Sequence, residues 1–217
     1  MKPQNKVKIK WSPEFAYAIG LITTDGSLSI DGRHISFTSK DKELIDRFQK
    51  CLGINLYIGV KNSGSNSIKK YYVVQVGDIN FYKFLVNIGL TPNKTMTIDE
   101  IKIPSKYFFD FLRGHLDGDG SFYSYYDPRW KSSYMFYTSL VSASKKHILW
   151  IQKNIKLSLG IKGHITKAKN NSVYQLKYAK AESLKLLPKV YYHTEVVCLS
   201  RKRKKIEKAL AVIDETL

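Results

Sequence analysis

Two aspartates in matching settings carry the chemistry that this sequence can do. Asp25 lies at the end of Ala18-Ile19-Gly20-Leu21-Ile22-Thr23-Thr24-Asp25-Gly26, and Asp119 at the end of Leu112-Arg113-Gly114-His115-Leu116-Asp117-Gly118-Asp119-Gly120. Each stretch starts apolar, carries Gly at its third place and runs into Asp-Gly-Ser. Phe15 and Tyr17 precede the first copy; Phe108, Phe109 and Phe111 precede the second. Read as helices, the copies set Ala16, Gly20 and Thr24 on one face and Gly114 and Gly118 on another. Small residues at four-residue spacing let two helix backbones approach closely. Such helices, side by side, bring Asp25 and Asp119 together at their C-terminal ends. There the carboxylates repel each other and the negative end of each helix dipole. A hard divalent cation, Mg²⁺ above all, offsets that repulsion and is commonly shared with substrate phosphates. The pair therefore predicts metal-dependent phosphodiester chemistry. Gly26 and Gly120 are expected to end their helices in the left-handed conformation.

One Asp-Gly-Ser alone reads equally well as a turn; its repetition in the same context carries the argument. The string from Asp117 also opens like a calcium loop, which needs Gly at its sixth place and Glu at its twelfth. Those places hold Phe122 and Pro128, so that reading fails.

The elements that must position the aspartates follow from pattern. Ser12-Pro13-Glu14 is a helix start, with Ser as cap, Pro in the first turn and Glu near the positive end. Residues 27–30 and 33–38 alternate around Asp31-Gly32, the signature of a hairpin. Leu28, Ile30, Ile35 and Phe37 are expected to face the helices, leaving Ser27, Ser29, His34, Ser36 and Thr38 on an open face. A sheet with one polar face needs water or a partner there. Residues 41–52 read as an amphipathic helix (Leu44, Ile45, Phe48, Leu52) ended by Gly53. Strands follow at 55–61 and 71–76 around a loop at 62–67, with Gln75 on the open face, then a helix over 81–88 capped by Gly89. Residues 97–104 join this half (1–96) to a second (105–217) that repeats the scheme. There, strands 121–126 and 134–143 flank a longer loop of Asp127, Pro128, Arg129, Trp130 and Lys131. A helix over 146–159 (Ile148, Leu149, Ile151, Ile155) closes at Gly160. Strands 164–167 and 173–178 surround 169–171, with Gln175 in the place of Gln75 and Lys177 on its face. A C-terminal helix with a stripe of Ile206, Leu210 and Ile213 docks on the second half. Most of the 15 tyrosines are expected in the core.

The 217 residues suffice for one large domain or two small ones. No apolar run is long enough to span a bilayer, and the N-terminus lacks a signal-peptide core. An intracellular location is the expectation. Cys51 and Cys198 make neither a disulfide framework nor a metal cluster. Lys and Arg number 36 against 18 acidic residues, a net charge of +18. That excess favours a polyanion, nucleic acid first, although ribosomal proteins share it.

With its doubled motif, strand pairs and basic C-terminal segment (Arg201-Lys202-Arg203-Lys204-Lys205), the chain resembles the LAGLIDADG homing endonucleases in their single-chain, two-motif form. The resemblance covers nearly the full length. It implies an α+β fold of two pseudo-symmetric αββαββα repeats, motif helices at their interface and antiparallel sheets forming a saddle on double-stranded DNA. It implies a monomer that makes double-strand breaks with short 3′ overhangs at a long asymmetric site. Asp25 and Asp119 fall on the metal-ligand positions, and a backbone ligand at the place of Thr24 stays unassigned. The resemblance further implies catalytic roles for Lys94 and Lys202, with Arg201, Arg203 and Lys204 as competitors for the latter. Mg²⁺ is the implied cofactor, Mn²⁺ substituting and Ca²⁺ binding without cleavage. Thr23 departs from the family's usual Asp, and the polar strand residue of some relatives falls at Ser36 and Val141. Residues expected to touch DNA are Ser27, Ser29, Arg33, His34, Ser36, Thr38, Lys61 and Gln75, then Ser121, Tyr123, Arg129, Ser139, His164, Thr166, Gln175 and Lys177. Base edges in the major groove would specify sequence, and phosphates would set position. Two alternatives stand: an intron maturase with host intron RNA as partner, and a DNA-binding regulator without catalysis. No membrane partner is expected.

Overall fold

The computed structural model describes residues 5–62, 70–167 and 173–214. The chain folds as two α+β halves of like topology. In the first, α1 (Pro13–Asp25) leads into β1 (Gly26–Leu28) and β2 (His34–Ser39). Then follow α2 (Lys42–Leu52), β3 (Gly59–Asn62), β4 (Lys70–Gly77) and α3 (Ile79–Asn87). The second half repeats this as α4 (Phe108–Gly118), β5 (Ser121–Asp127), β6 (Trp130–Ser142), α5 (Lys145–Leu159), β7 (His164–Lys167), β8 (Tyr174–Tyr178) and α6 (Lys180–Val190). It then adds α7 (Ser200–Asp214). The antiparallel sheets have matching orders, β1-β2-β4-β3 and β5-β6-β8-β7.

The helix starts obey their caps. Ser12 Oγ accepts from Phe15 N–H (3.1 Å) and Asp78 Oδ1 from Phe81 N–H (3.0 Å). Asp78 also ties down the lead segment by accepting from the N–H groups of Lys6 and Val7. Gly53 and Gly160 end α2 and α5 with φ of 65° and 68°. Leu28, Ile35 and Phe37 are buried under α1 and α2 together with Leu44, Ile45, Phe48 and Leu52. Ile148, Ile151 and Ile155 pack beneath the second sheet, and Ile206, Ala209 and Ile213 of α7 pack on Phe122 and Phe136.

Several expectations are corrected. Gly26 is extended (φ −85°), and α4 ends at Gly118 with Asp119 still near helical (φ −93°), so neither motif helix ends in a left-handed glycine. The motif glycines are required by space instead. A Cβ on Gly26 would lie 2.6 Å from Ile22 O, and one on Gly120 2.7 Å from Leu116 O, because the strand leaves by folding back over the last helical turn. Ile30 is 84% exposed, since alternation stops at Leu28 and the hairpin turn is longer than two residues. Asp31 organises that turn by accepting from the N–H groups of Arg33 and His34. Conversely, the second hairpin turn is short: Asp127 pairs with Trp130 across Pro128-Arg129, with a register shift behind it. Strand β3 starts only at Gly59, because Leu56 N–H is taken by Gln49 Oε1. Leu149 points outward. Among the described tyrosines only Tyr17, Tyr82 and Tyr178 are buried. The loop expected at 62–67 lies outside the described residues beyond Asn62, and 169–171 lies wholly outside them. No described helix is long and apolar enough to cross a membrane.

Candidate active site

The site forms where α1 and α4 pack directly on each other. A Cβ on Gly20 would meet Phe111 O at 2.2 Å, and one on Gly114 would meet Tyr17 O at 2.1 Å. The backbones thus touch, as small residues at this spacing permit. At the C-terminal end, a Cβ on Gly118 would lie 2.0 Å from Thr24 Oγ1 and 2.8 Å from Asp25 Oδ2. Glycine here is what lets the first acidic end reach the second.

Burial and the neighbouring Asp119 push the Asp25 carboxyl up to about 6, against hydrogen bonding from Thr24 and the charges of Lys202 and Lys94. Burial raises Asp119 as well. Carboxylates desolvated in a pair are held at a cost that a cation removes.

Each acidic end has a lysine behind it. Lys94, buried in the connection after α3, donates to Gly26 O at the end of α1. Lys202 of α7 donates to the carbonyls of Leu116 (2.6 Å), Asp117 (2.7 Å) and Gly120 (2.7 Å), with Gly118 O at 3.3 Å. Three ammonium protons meet four acceptors there. Burial pulls both lysines down to about 8, while the two aspartates pull the other way. The neighbouring basic residues turn elsewhere, Lys204 being exposed. Arg201 is paired with Asp41 of α2 (2.7 Å), and Arg203 with Glu207 (2.7 Å). Ser200 bonds Glu43, so the start of α7 is fastened to the first half while its stripe packs on the second.

Four further residues take part that sequence reasoning did not assign to the site. Asp117 Oδ2 accepts from Tyr17 O–H (2.8 Å) and Leu199 N–H (2.7 Å), linking α1, α4 and the approach to α7 three residues before Lys202. Thr23, its counterpart, turns back onto Ile19 O. Arg113 is fully buried, paired with Asp110 (2.8 Å) and donating to Val190 O and Val197 O. His115 and His147 stack inside the second half, and burial holds both imidazoles below their ordinary range, His147 at about 4.

Register decides which open-face residues correspond. Ser27, Ser36 and Gln75 lie in one row across the first sheet; Ser121, Ser139 and Lys177 lie in the matching row of the second. Lys177, not Gln175, therefore stands where Gln75 stands. Val141 corresponds to Thr38, and the counterpart of Ser36 is Ser139. Ser27, Lys61, Gln75, Ser121 and His164 are exposed, and Ser36, Thr38, Tyr123, Thr166, Gln175 and Lys177 are half-buried. Ser139 is fully buried, which removes it from the expected contacts. Ser29 and Arg33 lie in the hairpin turn, where His34 Nδ1 bonds Asp31. Arg129 is held by Asp127 at the tip of the second hairpin. Tyr123, Tyr125 and Tyr137 form a stacked set on the second face, with the Lys177 ammonium 6.0 Å from the Tyr123 ring.

Cys51 and Cys198 are free thiols. No group of three or more His, Cys, Asp or Glu side chains suited to a metal occurs among the described residues. The two aspartates would thus complete an ion's coordination with water, backbone and phosphate oxygens, as hard cations accept.

Residues 12–89 match the LAGLIDADG-like domain family. No curated protein matches the sequence. Among solved structures, I-SmaMI bound to an uncleaved DNA target in the presence of calcium ions is 14% identical, with a TM-score of 0.62 over 95% of this chain and 93% of that one. The I-LtrWI LAGLIDADG homing endonuclease bound to target DNA is 13% identical, with a TM-score of 0.60 over 94% and 90%. Full-length DUF199/WhiA from Thermatoga maritima is 19% identical, with a TM-score of 0.54; 94% of this chain spans 62% of its length.

Proposed function

We propose that this chain, which carries a LAGLIDADG-like domain and the two-motif LAGLIDADG fold, is a monomeric, sequence-specific endonuclease that cuts both strands of double-stranded DNA with a divalent cation. The observation that carries this reading is the convergence of two desolvated motif aspartates, each beside its own buried lysine.

Asp25 and Asp119 would hold Mg²⁺, their hard oxygens and desolvated pairing fitting such an ion. When bound, it supplies Lewis acidity toward the scissile phosphates and toward water. Lys202 spends its protons on backbone carbonyls and Lys94 donates to Gly26 O, so both would act as positive charges held in place beside the aspartates. Charge held in place before reaction costs no reorganisation as the transition state forms. Gly118 keeps the carboxylates adjacent, and Asp117, through Leu199, sets the start of α7 from which Lys202 reaches in. The open sheet faces would lie along the major groove, with Gln75 and Lys177 in corresponding places. Unlike residues in like places make the target asymmetric.

The test is selection of cleavable sites from a randomised duplex library in Mg²⁺, followed by Asp25→Asn and Asp119→Asn on the selected duplex. Binding should persist while cutting is abolished, and Ca²⁺ should support binding alone. Cutting by either variant refutes the assignment, and binding without cutting by the wild-type chain selects the non-catalytic reading.

A further inference from the structure

At one pair of core positions the first half is apolar and the second carries imidazoles. Leu21 in the first motif corresponds to His115 in the second. Leu44, three residues after the α2 cap Asp41, corresponds to His147, three residues after the α5 cap Ser144. The leucines are ordinary core, and the histidines are equally buried, each 1% exposed. An apolar pair in one half is thus an imidazole pair in the other.

Those imidazoles are not satisfied by protein. His115 Nδ1 and His147 Nε2 are buried without a hydrogen-bond partner, which native interiors seldom tolerate. His147 Nδ1 lies 2.7 Å from Asp99 O. A carbonyl only accepts, so Nδ1 carries the proton and Nε2 presents a bare lone pair. The His147 ring stacks on His115 (5.4 Å) and on Trp150 (5.3 Å), and both imidazoles line what remains. What remains is a chamber of about 60 Å³, walled by both histidines, Asp119, Lys94, Thr23, Thr24 and Ser142 among others. That space is large enough and polar enough for ordered water.

We propose that His115 and His147 hold ordered water in this chamber beside Asp119, and that through it they position the hydrolytic water for one of the two DNA strands. The second clause rests on the nuclease reading; the first does not. The histidines are positioning residues, acting through water and not on the phosphate. The Asp25 side, with leucines in their places, has no equivalent, so the two cuts are not equally supported.

The experiment restores the apolar pair with His115→Leu and His147→Leu together and follows each strand of a selected duplex by its own end label. One strand should be cut about tenfold slower or worse, as misplaced reacting groups are, and the other at close to the wild-type rate, so nicked product accumulates. His147→Gln, whose amide oxygen can take the place of Nε2, should restore the slow strand. Unchanged rates on both strands in the double variant, or equal slowing of both, overturn the positioning role. Independently of any cutting, ¹⁵N spectra of the wild-type protein should show His147 protonated at Nδ1 with Nε2 accepting a hydrogen bond, and a high-resolution crystal structure should show water in the chamber. A dry chamber or the opposite tautomer overturns the proposal. Failure of the wild-type protein to cut any selected duplex would sink the nuclease reading alone, leaving the water assignment to the spectra and the crystal.

Discussion

At the scale of single residues, the site is built against its own stability. Asp25 titrates near 6 when folded against 3.8 when unfolded. The folded state therefore binds the extra proton, and this carboxyl favours folding increasingly as pH falls from about 6 toward 4. Above that window it costs about 2–3 kcal/mol. Asp25→Asn should accordingly raise the melting temperature at pH 7.5, at about 2–4 °C per kcal/mol for a chain of this size. The same linkage governs the cation. Thermal stabilisation by Ca²⁺ should be clear at pH 7.5, fade as pH falls through about 6 and be absent in the double Asp-to-Asn variant. Stabilisation unchanged at pH 5 would contradict two carboxylate ligands. Lys202 satisfies the last carbonyls of α4, so Lys202→Met should lose about 2 kcal/mol by chemical denaturation as well as cutting. The aspartates were legible from residue type and spacing, whereas the two lysines came only from the family resemblance. The carbonyls that immobilise the lysines were not legible, because backbone acceptors leave no mark in a sequence.

At the scale of elements, the α1–α4 contact decides everything near the site. Gly114→Ala would press a methyl group onto Tyr17 O, so it should cost about 1–3 kcal/mol or more and shift the two acidic ends apart. Circular dichroism melting checks the first effect and cleavage of a selected duplex the second. Arg113 pins the end of α6 and the segment before α7 onto α4. Arg113→Met leaves Asp110 buried without its cation and should destabilise by about 3–5 kcal/mol. The helices and most strands were readable because period and caps are local. The hairpin lengths were not: Asp31-Gly32 suggested a two-residue turn where the chain makes a longer one, and the loop around Pro128 closed more tightly than its composition suggested. Turn length depends on the strand register that both partners settle together.

At the scale of the whole molecule, charge and asymmetry dominate. A chain of net charge +18 should bind duplex DNA with a steep salt dependence. With about 6–10 phosphate contacts, affinity falls about 10³–10⁵-fold between 50 and 200 mM salt. A flat dependence, measured by fluorescence anisotropy, would mean that the basic charge is not aimed at a polyanion. The two open faces are unlike, one lined by small polar residues with Gln75, the other by stacked tyrosines with Lys177. Corresponding places across the pseudo-symmetry thus carry different chemistry.

The sequence by itself determined the existence of two repeats, the motif helices, the acidic ends and the basic excess, since each is a matter of local periodicity or of composition. Only the tertiary structure decided that Gly118 seats Asp25, that Lys202, one of five consecutive basic residues, turns inward, that Ser139 is sealed off and that Lys177 answers Gln75. Those are outcomes of packing and register, where distant segments compete for the same space, and no single segment encodes the winner.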